Sequence, residues 1–488
     1  MSNQPRYVPL GGGIDLQTPT RQLPPGACLY AINYECPVSG GYRRIEGYME
    51  VAEDVPGEGP VLGVVTFRDD IYAIRKDVGT DTATLYRLNA GVWTTVAAVH
   101  NGRHEFVEGN VYATESGNAL YGVGGGLPFE IKSDGTFTEF GTAMPGAKFI
   151  ALHKNHLALG FEPGSVQFSG IGDPSSWDAA TGGAGEIGVG ETLTGLLLGR
   201  GGTLHVLCRD SIKTIYGDST ANFELRVTVP NSGAKPYSAQ NFINPQFIAE
   251  QGFSGLESTD QFGDFRPFQP GAKVEPIFRD AELANQVVCS MVSKDRGQYR
   301  VLFDNGTGLY SSPTGITMVK FPDKMRVAHS GELQNGEEII LAGDDKGRVY
   351  RMDNEAYTFN GEPIEAFLSL AYNDLGNPTV RKRFRRAWWD IRSGTDAEIS
   401  IQPDFDFGQA QSSRHLRQIV RFILGGGRWN VDDWDDLRWS VPILAQRPVD
   451  ITGSGTAVNF SIYSNAPSAP FEVLGYDIVF EQRRLRRG

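Results

Sequence analysis

The stretch from Ile339 to Met352 reads Ile-Ile-Leu-Ala-Gly-Asp-Asp-Lys-Gly-Arg-Val-Tyr-Arg-Met. Two short β-prone runs flank Asp-Asp-Lys-Gly, and Asp and Gly supply the backbone angles of a tight reversal, so a β-hairpin is predicted here. The same unit recurs along the chain. Val64 to Ile74 turns at Arg68-Asp69-Asp70, Val111 to Val123 at Ser116-Gly117-Asn118, and His156 to Phe168 at Glu162-Pro163-Gly164. Leu204 to Tyr216 turns at Arg209-Asp210-Ser211, Phe247 to Glu257 near Ser254, and Arg300 to Tyr310 at Asp304-Asn305-Gly306. With Asp69, Gly117, Gly164, Asp210, Ser254, Asn305 and Asp345 as turn centres, the steps are 48, 47, 46, 44, 51 and 40 residues.

A period of ~40 to 50 residues built from short strands predicts a β-propeller, because a four-stranded blade cannot bury its own faces and must stack on neighbours. A helical solenoid would place apolar residues three and four apart, which these units do not. Seven hairpins are compatible with six or seven blades. The propeller is predicted over 61–361, with one helical segment suggested by Asp280 to Val288. Residues 1–60 are loop-rich, and their strands at Cys28 to Tyr34 and Gly41 to Val51 are expected to help close the propeller.

Beyond Gly361 the pattern changes. Ile399, Ile401, Pro403, Phe405 and Phe407 alternate with Glu398, Ser400, Gln402, Asp404 and Asp406, as do Val458, Phe460 and Ile462, and Tyr476, Ile478 and Phe480. Such alternation predicts half-buried antiparallel strands, so 362–488 is read as a C-terminal β-sandwich-like platform, and the whole chain as all-β. A long Trp/Asp-rich loop at 408–440 interrupts it, and loops of that length in compact domains usually carry function.

The chain has 488 residues, 40% of them apolar, and a net charge of −13. That charge excludes a surface that grips nucleic-acid phosphates throughout. Cys28, Cys36, Cys208 and Cys289 are too scattered for a disulfide framework and read as small buried hydrophobes. Met1 to Gly13 lacks a basic start and an apolar run, so residence in the cytosol of the producing cell is expected. The longest apolar runs, such as Leu196 to Leu198, are far short of the ~20 residues that cross a bilayer, and no membrane insertion is expected.

No catalytic, cofactor or metal constellation is predicted. Asp404 and Asp406 pair as acid and base chemistry requires, but the alternation makes them the wet side of a strand. His153 and His156 flank a Lys154-Asn155 turn, a spacing that joins ligands only on a helix. The Gly-rich runs Gly199 to Thr203 and Gly122 to Gly126 lack the Gly-Lys-Ser/Thr of a phosphate loop and read as turns.

Two basic runs stand against the acidic average: Arg381, Lys382, Arg383, Arg385 and Arg386, and the terminal Arg483, Arg484, Arg486 and Arg487. They read as solvated charge or as docking surfaces for an acidic partner. Trp429, Trp434 and Trp439 recur every five residues, which suits neither helix nor strand face, and leaves core plugs and interface anchors as alternatives.

Cys28 to Tyr48, Leu204 to Tyr216, Arg383 to Ile391, Gln402 to Gly408 and the Trp-Asn-Val-Asp-Asp-Trp loop together resemble tail proteins of tailed bacteriophages. In layout the chain is most similar to the tail hub, or nozzle, family of short-tailed phages, the packaged-DNA stabilisation proteins. The similarity covers nearly the whole chain in order. It implies a β-propeller plus a β-rich platform in a homo-hexameric ring, located in the virion tail after assembly in the host cytoplasm. The ring would sit beneath the portal and its adaptor, the head-to-tail connector, and carry tail fibres, spikes or a needle. Double-stranded DNA would pass without sequence-specific binding. No catalytic residue is implied, so the chain is not expected to be an enzyme.

Six copies at −13 carry −78, and acidic channel walls repel phosphates. Asp432, Asp433, Asp435 and Asp436 are the expected lumen residues. The alternative is a sugar-binding or sugar-cleaving propeller, whose site would gather acids, His or Arg from several inner strands at the axis.

Overall fold

In the computed structural model, which describes residues 6–114, 117–259, 264–394, 397–408, 418–422 and 444–482, the hairpin forms from strands Glu338–Asp344 and Val349–Met352. Its turn is made by the buried Asp344 carboxylate, which accepts the backbone N–H groups of Lys346 at 2.9 Å and Arg348 at 2.8 Å. This is the local side-chain cap that makes Asp a turn residue.

Seven such four-stranded antiparallel units follow one another. Blade 1 comprises Glu58–Phe67, Asp70–Lys76, Thr82–Asn89 and Val92–His100. Blade 2 comprises Glu105–Gly109, Ala119–Val123, Phe129–Lys132 and Phe137–Glu139. Blades 3 and 4 begin with Ala147–His153 and Leu193–Leu198, and blades 5 and 6 with Gln240–Phe242 and Val287–Ser293. Blade 7 begins with Met325–Glu332, continues through the hairpin, and takes its fourth strand, Tyr48–Glu50, from the other end of the chain.

The first strands of neighbouring blades lie side by side all round, and that of blade 7 lies against that of blade 1, so the ring is closed. Apolar clusters fill the seams between blades. Val65, Phe67 and Ile74 meet Leu120, Phe129 and Ile131 between blades 1 and 2, and Val61 and Val64 meet Val327, Ile339 and Leu341 between blades 1 and 7. A buried cation also bridges that last seam. Arg75 donates to the carbonyls of Gly59 at 2.9 Å, Val55 at 2.5 Å and Lys346 at 2.6 Å. Gly347 sits against it at φ +98°, where a Cβ would lie 2.0 Å from the guanidinium carbon.

The repeat length matches the sequence period, but its phase slips. The predicted turns at Asp69 and Gly117 join first and second strands of their blades, whereas those at Gly164, Asp210, Asn305 and Asp345 join second and third. Ser254 lies inside Gly252–Thr259, and the turn falls before it, after Ala249. Ser116 lies outside the described residues. The helical segment expected at Asp280 to Val288 is displaced: the helix is Glu275–Ala281, between blades 5 and 6, a 3-10 turn follows at Leu283–Gln286, and Val287 and Val288 open the first strand of blade 6.

The C-terminal strands form two packed sheets. One carries Tyr34–Glu35, Tyr42–Arg44, Phe471–Gln482, Lys382–Ser393 and Leu444–Gly455, with Arg6–Pro9 on Phe471–Gln482. The other runs Cys28–Ile32, Ala366–Leu370, Val458–Ser464, Ala397–Phe405 and Gln418–Phe422. Trp389, fully buried, packs between them with Phe460 at 5.0 Å and Tyr476 at 4.9 Å between ring centroids. Ile399, Ile401 and Phe405 face this core, but Phe407 lies past the strand at φ +60° and is 36% exposed. Of the strands wholly within residues 1–60, Tyr48–Glu50 completes blade 7 and the others join the sandwich, where Tyr34–Glu35 and Tyr42–Arg44 pair with each other and further partners lie more than three hundred positions along the chain, as in Cys28 with Leu370.

Propeller and sandwich share a sheet. Ile32 pairs in parallel with Met318 on the last strand of blade 6, Gly315–Lys320, and the Asn33 side chain accepts the Lys320 N–H at 2.8 Å. Beneath the seam Glu35, 2% exposed, accepts from Arg43 at 3.2 Å, Arg296 at 2.7 Å and Gln298 at 2.9 Å. All four cysteines are buried free thiols.

Candidate functional site at the propeller axis

Every blade contributes its first strand to the axis, so polar residues on those strands converge although they are far apart in sequence. They enclose a cavity of about 440 Å³ lined from six blades. One end is closed. Arg103, just before the first strand of blade 2, donates to the carbonyls of Val288 in blade 6 and of Arg326 in blade 7, the latter at 2.9 Å. Its guanidinium lies 3.6 Å from the ring centroid of Tyr237, which precedes blade 5. A side chain rooted in blade 2 that touches blades 5, 6 and 7 has crossed the axis. All four residues sit at the start of their inner strands, so they form a floor, reinforced by a cation–π contact.

The floor is held under local strain. Tyr237 has φ +61°, a conformation that L-residues avoid at a cost of about 1–2 kcal/mol. Its neighbour Ser238, fully buried, fixes the turn: its hydroxyl donates to Lys235 O at 2.7 Å and accepts the Ile248 N–H at 3.1 Å. Strain of this kind persists only where the surroundings over-determine it.

Above the floor stand Glu105, His329, Ser290, Ser330 and Gln240. Gln240 donates to Ser290 O at 3.0 Å, and Ser290 donates to Tyr237 O at 2.9 Å. Burial pushes the Glu105 carboxyl above its ordinary range, with Arg103 pulling it down. Burial lowers His329 to about 4, so its imidazole is neutral at pH 7. At the open end Lys294 meets Glu332 at 3.5 Å, while Glu338 accepts the Lys294 N–H at 2.6 Å and the Ser293 hydroxyl at 3.0 Å. The axis is therefore a blind well.

The other predicted site residues lie elsewhere. Arg381, Arg385 and Arg386 are exposed on the outer sheet, and Arg383 is partly buried. A β-bulge between Phe384 and Arg386 turns Arg385 and Arg386 outward together, where they pair with Glu481 at 3.1 Å and Asp450 at 2.8 Å. Lys382 is a correction: it points into the sandwich, fully buried, and its ammonium donates to the carbonyls of Asn377, Val380 and Thr456 at 2.6, 3.0 and 2.8 Å. It occupies the inward phase shared with Phe384, so it holds a loop and offers no docking charge. Trp429, Trp434, Trp439, Asp432, Asp433, Asp435, Asp436, Arg483, Arg484, Arg486 and Arg487 lie outside the described residues.

Asp404 and Asp406 do not form a catalytic pair. Asp404 accepts the Tyr372 hydroxyl at 2.6 Å, and Asp406 accepts the Thr456 N–H at 2.6 Å and hydroxyl at 2.9 Å. His153 and His156 face each other across a Lys154-Asn155 turn with φ +52° and +58°, packed on Phe223. The well was missed because its groups arrive one or two per blade. The local signal was Arg103-His104-Glu105 at the entry to a first strand, with Glu105 its first residue.

The chain is thus a β-propeller protein with a β-sandwich fused to one blade. No protein family and no curated protein match it. Among solved structures it is similar to a streptogramin B lyase, at 12% identity and TM-score 0.43 over 63% of this chain and 97% of that one. It is also similar to BBS1N in complex with ARL6DN, at 12% identity and TM-score 0.42 over 64% and 99% of the two chains. A third is virginiamycin B lyase from Staphylococcus aureus, at 12% identity and TM-score 0.40 over 60% and 94%. These are β-propeller proteins, and their activities do not transfer at such identity.

Proposed function

We propose that this chain is a structural, non-enzymatic protein of a bacteriophage tail. Six copies form a hub ring below the portal and adaptor, retain packaged DNA and pass it at ejection. The observation that carries this reading is the shared sheet between blade 6 and the sandwich, which makes propeller and platform one stiff building block. Two further points support it. The propeller axis is a dead end floored by Arg103 and Tyr237, so a duplex travels between copies and not through one. The surplus of acidic residues favours sliding over adhesion along such a path.

A sugar-cleaving role is less well supported. Paired-carboxylate hydrolysis needs two acids across the scissile bond, and among the described residues the well places one, Glu105, inside. Native mass measurement of the purified chain, alone and with a portal–adaptor assembly, tests the proposal. A hexameric increment on the adaptor is expected. A monomer that ignores the assembly and binds or cleaves glycans would overturn it.

A further inference from the structure

The axial well holds uncommitted donors and uncommitted acceptors together. Glu105, the first residue of blade 2, lines it and has no hydrogen-bond partner among the described residues. Gln240 and Asn241 spend amide N–H groups on the carbonyls of Ser290 at 3.0 Å and Leu198 at 2.8 Å, which leaves both amide oxygens as acceptors. On the donor side, the Arg103 Nε–H is buried without a partner, and the Tyr237 hydroxyl makes no hydrogen bond among the described residues. The His329 ring, neutral at pH 7, supplies one N–H and one lone pair. These groups are rooted in blades 2, 5 and 7 and in the segments that lead into them, so they surround the cavity.

The charges select neither sign of ligand. Arg103 and Glu105 offset each other inside, and Lys294 at the open end is 70% exposed and stands 3.5 Å from Glu332. A ligand carboxylate asks for a guanidinium fork, but Arg103 directs Nη1 to the carbonyls of Val288 and Arg326 and lays its face on Tyr237. An apolar ligand would strip water from Glu105 and from the unpartnered N–H groups without replacing its hydrogen bonds. The complement of this wall is an uncharged molecule that donates and accepts at many points. Each hydroxyl of a sugar does both, and Phe106 in the lining offers an apolar surface for its C–H faces. Because the floor is closed, such a ligand enters by its end.

We propose that the axial well binds the terminal sugar unit of a glycan and does not cleave it. Hydrolysis by paired carboxylates is not open to it, because Glu105 is the one acid among the described lining residues. All the groups come from one chain, so the site does not depend on ring assembly.

The test is ligand-observed NMR titration of the full chain with the methyl glycosides of glucose, galactose and mannose, and with 1,4-diaminobutane and succinate as charged probes. Saturable binding of at least one glycoside is expected, at least about tenfold tighter than either charged probe. The p-nitrophenyl glycosides of the same sugars are expected to release no nitrophenol. Glu105→Leu is expected to weaken that glycoside at least about tenfold, the worth of one hydrogen bond to a charged group, whereas Glu224→Gln, at an exposed ion pair with Arg226, leaves it unchanged. Should Glu105→Leu not fold, Leu197→Trp narrows the well without altering charge and is expected to abolish binding. No saturable glycoside, a charged probe bound as tightly, equal loss in Glu224→Gln, or nitrophenol release would overturn the proposal. Its failure leaves the tail reading standing, since that reading is tested by assembly on the adaptor.

Discussion

Replacing Arg75 by Met should open the propeller at the seam between blades 1 and 7. Met refills most of the aliphatic volume, so the substitution isolates the guanidinium. Arg75 is 8% exposed and serves three carbonyls, of Val55, Gly59 and Lys346. A hydrogen bond to a charged group contributes about 1.5–3 kcal/mol, but removing the cation also removes its desolvation cost. The net loss is therefore about 3 kcal/mol, close to that of breaking a buried ion pair from one side. Urea unfolding followed by near-UV circular dichroism measures it. Hydrogen exchange locates it: faster exchange is expected in Tyr48–Glu50 and Val349–Met352, the strands that the 345–348 turn holds. Gly347→Ala provides the coupling partner, since its Cβ would meet the guanidinium carbon at 2.0 Å. Its cost should shrink in the Arg75→Met background, leaving only the backbone strain at φ +98°. Stability within about 0.5 kcal/mol of the parent, with unchanged exchange in those strands, would refute the reasoning.

Three further outcomes follow from buried charge. His104, His153 and His205 are lowered to about 4 by burial, so the unfolded chain takes up protons first. Their contribution is full above pH ~6.5 and lost as pH falls toward 4, about 1.4 kcal/mol each at pH 5.5, and a flat thermal-unfolding profile from pH 7 to 5 would contradict it. Burial pushes Asp353 up, but Arg300 and Arg296 hold its carboxyl below the usual range. Its contribution is present above pH ~3.9 and lost as pH falls through the lower folded value, so Asp353→Asn should flatten the acid limb of stability below pH 4. Lys382→Met should cost about 3 kcal/mol by leaving three carbonyls unpaired, whereas Arg385→Ala should cost less than about 1 kcal/mol in chemical denaturation. Equal costs would contradict the inward placement of Lys382.

The fold was legible where chemistry is local. Asp344 and Gly347 around the 345–348 turn, and Lys154-Asn155, announce reversals through side-chain caps and positive φ, and seven similar units make the period visible. The strand phase was less legible, because nothing local distinguishes a first-to-second turn at Asp69 from a second-to-third turn at Asp210. Closure by the Gly41 to Val51 segment was legible, and Tyr48–Glu50 does complete blade 7, but registers such as Tyr48 with Met352, and the pairing of Ile32 with Met318, were out of reach, since their complementarity is written on strands roughly three hundred residues apart. Lys382 could have been read from its alternation with Phe384, and the charge of the run concealed it. The well was hidden for a topological reason: Arg103, Tyr237, Ser290 and His329 are neighbours only because a ring brings first strands together.

The junction at Ile32 and Met318 has a mechanical consequence. A pull on the sandwich is delivered into the last strand of blade 6 through backbone pairing. Along that path the ladder thins to one parallel rung, seconded by Asn33 and, behind it, the ionic knot at Glu35. That rung does not act alone: Phe253, Tyr299 and Phe303 of the blades lie in one apolar core with Trp389, Phe460 and Tyr476 of the sandwich, so a load on the sandwich also spreads into the propeller through packing.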